Sequence, residues 1–341
     1  MRAIIRKLGS QQKKPMHVND SDLSKFHSDI DLIKKEMSKV VVGQDQTVDS
    51  VLRAIISNGH VLLEGVPGVA KTLIMRTLSQ VTACKTKRIQ FTADLLPSDI
   101  VGITSYDKTK GFYVVKGPIF TNFLLADEIN RAPSKVQSAL LEGMQEKQVT
   151  IGRETFQLDN PFFVLATLNP LETQGVFRLP EAQVDRFLFK LNIGYPTKEE
   201  ERKILTQNIT TKGFSDYDLK SVISPIDILR MQQTVHNVYV SKDVEEYIVR
   251  LIDATRNPEK YNLKNSKYLR YGSSPRASIG LYVASKANAL MNGKDYVTPQ
   301  HVKEVAHDVL RHRLLLNYEG QAENINPDDV ITEILTKVPV P

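Results

Sequence analysis

Cysteine is nearly missing from this 341-residue chain: Cys84 stands alone, which excludes an internal disulfide and any cysteine-built zinc cage. No apolar run approaches the roughly 18 residues that a membrane span needs. The longest, Phe162-Phe163-Val164-Leu165-Ala166, is strand-sized. The N-terminal MRAIIRKLGSQQKK is basic but has no apolar stretch and no small-residue cleavage site. It does not read as a secretory signal, so the chain is expected in the cytoplasm. The seven histidines fall in no HExxH or other metal spacing, and no GxSxG nucleophile pattern occurs. His307 and His312 read as surface or half-buried residues. Internal repeats and low-complexity segments are absent as well. Net positive charge is scarce once it is located. Of the formal +6, the first nineteen residues supply five (Arg2, Arg6, Lys7, Lys13, Lys14 and no acid), leaving one for residues 20–341. A body this close to neutral does not indicate a surface for a phosphate backbone. The tail reads as a solvated arm.

What is present is ordinary globular material, 41% hydrophobic and 25% charged, enough for one large or two medium domains. Residues 32–40 read as a short amphipathic helix, followed by a VVGQD turn and a helical run to about residue 57. Strand candidates fall at 60–64, 88–92, 122–126, 162–167 and 187–193, alternating with helical segments at 71–81 and 134–145. Near-continuous apolar strands alternating with helices imply an α/β layered, parallel sheet. Two stretches, 103–115 and 148–158, interrupt the rhythm and read as strand–turn–strand inserts. After Tyr195-Pro196 no strong strand candidate remains. Ser241, Ser274-Pro275 and Thr298-Pro299 mark helix starts, and the helix after Thr298 reads as the last, with Val302, Val305, Val309 and Leu310 on one face. A boundary near residue 197 therefore separates an α/β part from a helical bundle.

The strongest chemical signal is Gly65-Val66-Pro67-Gly68-Val69-Ala70-Lys71-Thr72 between a strand and a helix. A phosphate needs unhindered backbone N–H groups and gains from the positive end of a helix. Lys71 would reach the β- and γ-phosphates and Thr72 would ligate Mg²⁺. The strict pattern has glycine where this chain has Ala70; alanine is the smallest alternative, and a helical backbone there would tolerate it. Fifty-six residues after Lys71, the apolar strand Phe123-Leu124-Leu125-Ala126 ends in Asp127-Glu128. Acids at that sheet edge can hold Mg²⁺ (Asp127) and polarise an attacking water (Glu128). Asn169 follows another strand tip and could orient the water. Arg186, and Arg276 in a first helical turn, would each gain from a nearby anion.

Together these stretches resemble the AAA+ ATPases, and in detail the MoxR family. The likeness covers about residues 23–335. It is carried by GVPGVAKT (65–72), RIQFTADLLPSDIVG (88–102), LLADEINRAPSKVQSALLEGMQEKQVTI (124–151), LPEAQVDRF (179–187) and GSSPRA (272–277). The resemblance implies a P-loop AAA+ core with a parallel five-stranded sheet between helices and a smaller all-α lid. On this reading residues 1–21 are a basic, disordered tail, 22–196 the core with two hairpin-type inserts, and 197–341 the lid. Lys71 and Thr72 match Walker A, Asp127 and Glu128 Walker B, and Asn169 sensor 1. Arg186 matches the finger that reaches a neighbour's γ-phosphate, and Arg276 matches sensor 2. Gly43-Gln44 matches the segment near the adenine. Two departures, Leu168 in place of glutamine and Arg178 before Leu179-Pro180, touch no expected chemistry. ATP and Mg²⁺ are the implied cofactors. A homo-oligomeric ring, a hexamer, is the implied assembly, and a von Willebrand factor A domain protein the implied client for remodelling, assembly or metal insertion. A metal-chelatase motor subunit, a nucleic-acid motor and a nucleotide-gated scaffold would use the same site. The near-neutral body speaks against nucleic acid, and Glu128 with Arg186 against a scaffold.

Overall fold

The computed structural model describes residues 18–66, 68, 70–109, 111–170, 175–206 and 214–341. Two helices come first, α1 (Asp20–Met37) and α2 (Asp45–Ile56). The first corrects the expected helix at 32–40. Phe26, Ile30, Ile33 and Met37 recur at helical spacing and are all buried, and its start at Asp20 reaches into the segment read as tail. The tail reading rests on the basic residues of the first nineteen; Asp20 and Asp22, which follow them, suit the positive end of a helix.

The α/β part then runs β1 (Val61–Gly65), α3 (Lys71–Val81), β2 (Thr86–Gln90), α4 (Pro97–Val101), β3 (Gly102–Asp107), β4 (Gly111–Lys116), β5 (Phe123–Asp127), α5 (Ser134–Glu146), β6 (Gln148–Ile151), β7 (Glu154–Gln157), β8 (Phe163–Leu168), α6 (Glu181–Val184) and β9 (Phe189–Ile193). Strands β2-β5-β8-β1-β9 form, in that order, one parallel sheet. Both inserts are antiparallel hairpins, β3–β4 and β6–β7. Strand residues alternate between faces. Val61, Leu63, Leu125 and Leu165 join the core under α1, α2 and α3, whereas Leu62, Leu124, Ala126 and Val164 join the core under α4 and α5.

The C-terminal part continues with α7 (Lys198–Thr206), α8 (Pro225–Asn237), α9 (Lys242–Arg256), β10 (Leu269–Tyr271), α10 (Pro275–Met291), α11 (Pro299–Leu310), β11 (Leu315–Leu316), α12 (Tyr318–Ala322) and α13 (Pro327–Lys337). Ser224, Ser241 and Ser274 cap α8, α9 and α10 by accepting from the N–H groups of Asp227, Val244 and Arg276. Two expectations are corrected. The helix read as last, α11, is followed by α12 and α13, and β10 pairs with β11 in a bulged ladder too short to show alternation. Among the described residues no helix is long and apolar enough to cross a membrane.

Residue 197 is no break in packing, because Ile228, Leu251, Leu281 and Val305 share one buried cluster with the strand residues. Arg311-His312-Arg313 pins the two parts together. Arg311 Nη1 donates to the Lys190 carbonyl at 2.5 Å and His312 Nε2 to that of Phe187 at 3.1 Å. Arg313 Nη2 donates to the carbonyls of Phe187 (2.6 Å) and Asp185 (3.1 Å), and its Nε to Asp185 Oδ1 (2.8 Å). His312, expected at the surface or half-buried, is thus fully buried: it faces the core rather than solvent because it lies beyond the end of α11.

Candidate active site

Parallel strands leave their C-terminal ends on one edge, and ligands of open α/β sheets bind there. A cleft of about 380 Å³ opens at that edge, lined by Gly68, Ala70, Lys71, Thr72, Leu73, Asp127, Glu128, Thr167 and Asn169. Seven sequence-picked residues therefore converge: Gly68, Ala70, Lys71, Thr72, Asp127, Glu128 and Asn169. Gly65 and Val66 lead from β1 into the loop, and Pro67 and Val69 lie outside the described residues. A side chain on Gly65 would stand 2.8 Å from the Ile193 carbonyl, so the loop's entry runs against β9 backbone. Gly68 has φ +86°, a conformation glycine adopts without penalty. Ala70 has φ +60°, left-handed, where a right-handed helical backbone was expected. That is the reason the strict pattern has glycine, and alanine accepts a cost of about 1–2 kcal/mol there.

Lys71 opens α3, and its ammonium donates to the carbonyls of Gly65 and, at 3.3 Å, Leu168. Burial lowers its pKa from the usual lysine range; the charges of Asp127, Glu128 and Glu64 oppose that shift. The two acids sit at the end of β5. Asp127 Oδ1 accepts from the Thr167 hydroxyl at 2.7 Å, and Oδ2 from Arg88 Nη2 at 2.6 Å and Nε at 3.1 Å. Glu128 adopts φ +57°, and its N–H donates to the same Thr167 hydroxyl at 2.8 Å. Strained backbone of this kind gathers at functional sites. Glu128 Oε2 accepts from Gln90 Nε2 at 2.6 Å and Arg131 Nη1 at 3.0 Å.

Four residues here were missed: Thr167, Arg88, Gln90 and Arg131. Thr167 is fully buried, and its hydroxyl bridges the metal-type acid and the base-type acid. Only strand pairing reveals it, since β5 and β8 are neighbours in the sheet but forty residues apart in the chain. Arg88 and Gln90 did carry a signal. They lie two apart on β2, hence on one face, beside the strand that ends in the acids.

The remaining picks lie elsewhere. Gly43 (φ +73°) packs on the Glu200 side chain, 2.8 Å from where its own Cβ would be, and Gln44 stands at the start of α2 with its side-chain oxygen accepting from the Thr47 hydroxyl. Neither lines the cleft. Arg186 and Arg276 come together on α5. Arg186 Nη1 donates to the Leu141 carbonyl at 3.1 Å and Arg276 Nη2 to Gln145 Oε1 at 3.4 Å, one helical turn apart. Asp185 organises this corner: its Oδ2 accepts from the Ser274 hydroxyl at 2.8 Å and stands 3.8 Å from Arg276 Nη1, while its Oδ1 takes Arg313. Among the described residues lining the cleft, Lys71 is the one cation.

Comparison with known proteins agrees with this geometry. Residues 60–189 match the family described as "ATPase family associated with various cellular activities (AAA)", and residues 263–334 match an AAA lid domain. The chain is 50% identical over 308 residues to Chaperone MoxR1 of Mycobacterium tuberculosis, covering 90% of this chain and 81% of that protein. It is 28% identical over 332 residues to Protein MoxR of Methylorubrum extorquens, covering 90% of this chain and 94% of the other. A solved structure of an ATPase candidate from Cytophaga hutchinsonii superposes with a TM-score of 0.89 at 47% identity, covering 94% of this chain and 98% of that one.

Proposed function

This chain belongs to the MoxR family of AAA+ ATPases, and from that premise we propose that it hydrolyses ATP with Mg²⁺ to remodel a protein client. The observation that carries the reading is the convergence of Lys71, Thr72, Asp127, Glu128 and Asn169 on one cleft. The residues fit the metal: the Thr72 hydroxyl and the Asp127 carboxylate are oxygen donors of the kind Mg²⁺ takes, and both line the cleft. When bound, Mg²⁺ neutralises charge on the phosphates. Residues 22–196 serve as the nucleotide-binding core and 197–341 as its lid.

The protein's own groups divide the work. Lys71, tethered to two carbonyls, is the cation that turns to the β- and γ-phosphates. Asn169 orients the attacking water, and Glu128 receives its proton. Among the described residues lining the cleft Lys71 is the one cation, and the charge that develops in transfer gains from a further one. Arg186 and Arg276, held side by side on α5 outside the cleft, are positioned to supply it to a neighbouring copy in a ring, which we take to be a hexamer. The hairpin β3–β4 exposes Tyr106 (63%) and Phe112 (79%), an apolar tip suited to a protein client, here a von Willebrand factor A domain protein in the cytoplasm.

Hydrolysis by the purified chain tests this reading. Wild type should release phosphate only with Mg²⁺, Lys71→Ala should lose nucleotide binding, and Glu128→Gln should keep binding while turnover falls about 10²–10⁴-fold. Wild-type turnover matched by Glu128→Gln contradicts it.

A further inference from the structure

One buried amide beside the turn after Glu128 holds three backbone carbonyls. Gln137, fully buried on α5, donates from Nε2 to the carbonyls of Ala132 at 3.0 Å, Phe177 at 3.1 Å and Ile129 at 3.2 Å. Turning the amide over would set its oxygen against three oxygens, so the surroundings fix which way it faces. Its Oε1, also buried, has no hydrogen-bond partner. The NH₂ group has two hydrogens to serve three acceptors. One hydrogen is therefore shared, and a shift on one side of Gln137 is felt on the other.

The three carbonyls belong to two segments with different duties. Ile129 and Ala132 bracket the turn that leaves Glu128, and the Arg131 N–H closes that turn by donating to the Glu128 carbonyl at 2.9 Å. Phe177 meets the same turn through its N–H, which donates to the Asn130 carbonyl at 2.7 Å. Phe177 leads into α6, which is held on α5 by Gln183 Nε2 donating to Ser138 Oγ at 3.1 Å, and Arg186 follows α6. We propose that Gln137 is a positioning residue that ties the turn after Glu128 to the segment leading to Arg186, so that one amide sets both the base of its own cleft and the arginine offered to a neighbour's. The proposal rests on the ATPase reading and on the role of Arg186 in a neighbouring cleft. Without the amide, the carbonyls of the fully buried Ile129 and Ala132 lose a donor that water cannot replace, and one of the two ties between the segments is gone.

The test mixes full-length subunits. Gln137→Met should bind a fluorescent, non-hydrolysable ATP analogue as wild type does, because Lys71 and Thr72 are untouched, while kcat falls about 10²-fold with KM for ATP unchanged. A subunit that spoils both roles leaves a working cleft only where a wild-type subunit meets a wild-type neighbour. An equimolar mixture with wild type should then keep about one quarter of wild-type turnover per total protein, below the mean of the two preparations. A mixture that equals that mean, about one half, is what a subunit with one spoiled role or no assembly gives, and it overturns the proposal. Gln137→Glu, whose buried carboxyl keeps its proton and with it one donor, decides the matter by the same criterion if Gln137→Met does not bind the analogue. Loss of analogue binding in both variants makes Gln137 a purely structural residue and overturns the proposal as well. A mixture of Arg186→Ala with Glu128→Gln is the control. Turnover there no higher than in either preparation alone overturns the reading of Arg186 on which this proposal rests, separately from any result with Gln137.

Discussion

The cleft at the strand ends and the seam beneath the C-terminal helices are built from the same charged residue types put to opposite uses. In the cleft, Asp127 is held by the exposed Arg88 and Glu128 by Gln90 and Arg131, and each of these partners can leave. In the seam, Arg313 is 7% exposed and His312 is buried, and both bond to backbone of residues 185–188. Charge that must exchange partners is placed near water and paired with side chains. Charge that must stay is buried against carbonyls that cannot move away. Asp185 joins the two regimes: one oxygen is fixed by Arg313, and the other meets Ser274 beside Arg276, next in the chain to Arg186. The seam thereby sets the position of the two arginines assigned to a neighbour's cleft.

The comparison can be broken most severely at Arg186. Arg186→Ala should lower turnover about 10³–10⁵-fold while nucleotide affinity and the unfolding midpoint hold. A collapse of thermal stability in that variant would move Arg186 from the reactive group to the seam. Next in size is Arg313→Met, which strands Asp185 in a partly buried site and should cost about 3–5 kcal/mol in urea unfolding. Arg88→Met, made on the cleft side, should leave the unfolding free energy nearly untouched; equal losses would erase the distinction.

Buried histidines sharpen it further. Burial lowers the His60 pKa to about 4, with Nε2 donating to the Met144 carbonyl and Nδ1 accepting the Val164 N–H. Burial likewise pushes His312 well below the usual histidine range, and the Arg313 charge adds to this. Both stay neutral in the fold but take up a proton when unfolded, so unfolding binds protons as pH falls below about 6.5. Stability is complete above that value and declines below it, by about 1.4 kcal/mol per pH unit for each histidine, until the folded pKa is reached. Urea unfolding at pH 7, 6 and 5 measures this slope, and a flat profile would mean that these rings are hydrated. The smallest effect is at a helix start: Ser241→Ala should cost about 1 kcal/mol, with turnover unchanged.

The part of this molecule legible in the sequence is the part encoded by neighbours in the chain. The five strands were found within a few residues because buried parallel strands are continuous apolar runs, and GVPGVAKT was found because a phosphate loop is eight consecutive residues. The start of α1 was missed because charged side chains mask an apolar stripe whose partners are remote. Thr167, Arg88 and Gln90 reach the two acids only through register with β5, which no local pattern states. The meeting of Arg186 and Arg276 joins positions 90 residues apart on either side of the boundary near residue 197. Ala70 shows the limit within a motif: alanine was expected to be tolerated on a helical backbone, but the backbone there is left-handed, a fact that only the fold supplies.

Subunit mixing tests the central claim, that each cleft is completed by a second copy, most directly. Arg186→Ala subunits keep an intact cleft but lack the finger, whereas Glu128→Gln subunits keep the finger but have a dead cleft. Each alone should be nearly inactive, and mixing them should restore ATP hydrolysis well above either preparation. A mixture no more active than the sum of its parts would contradict the account and return Arg186 to a role within its own chain.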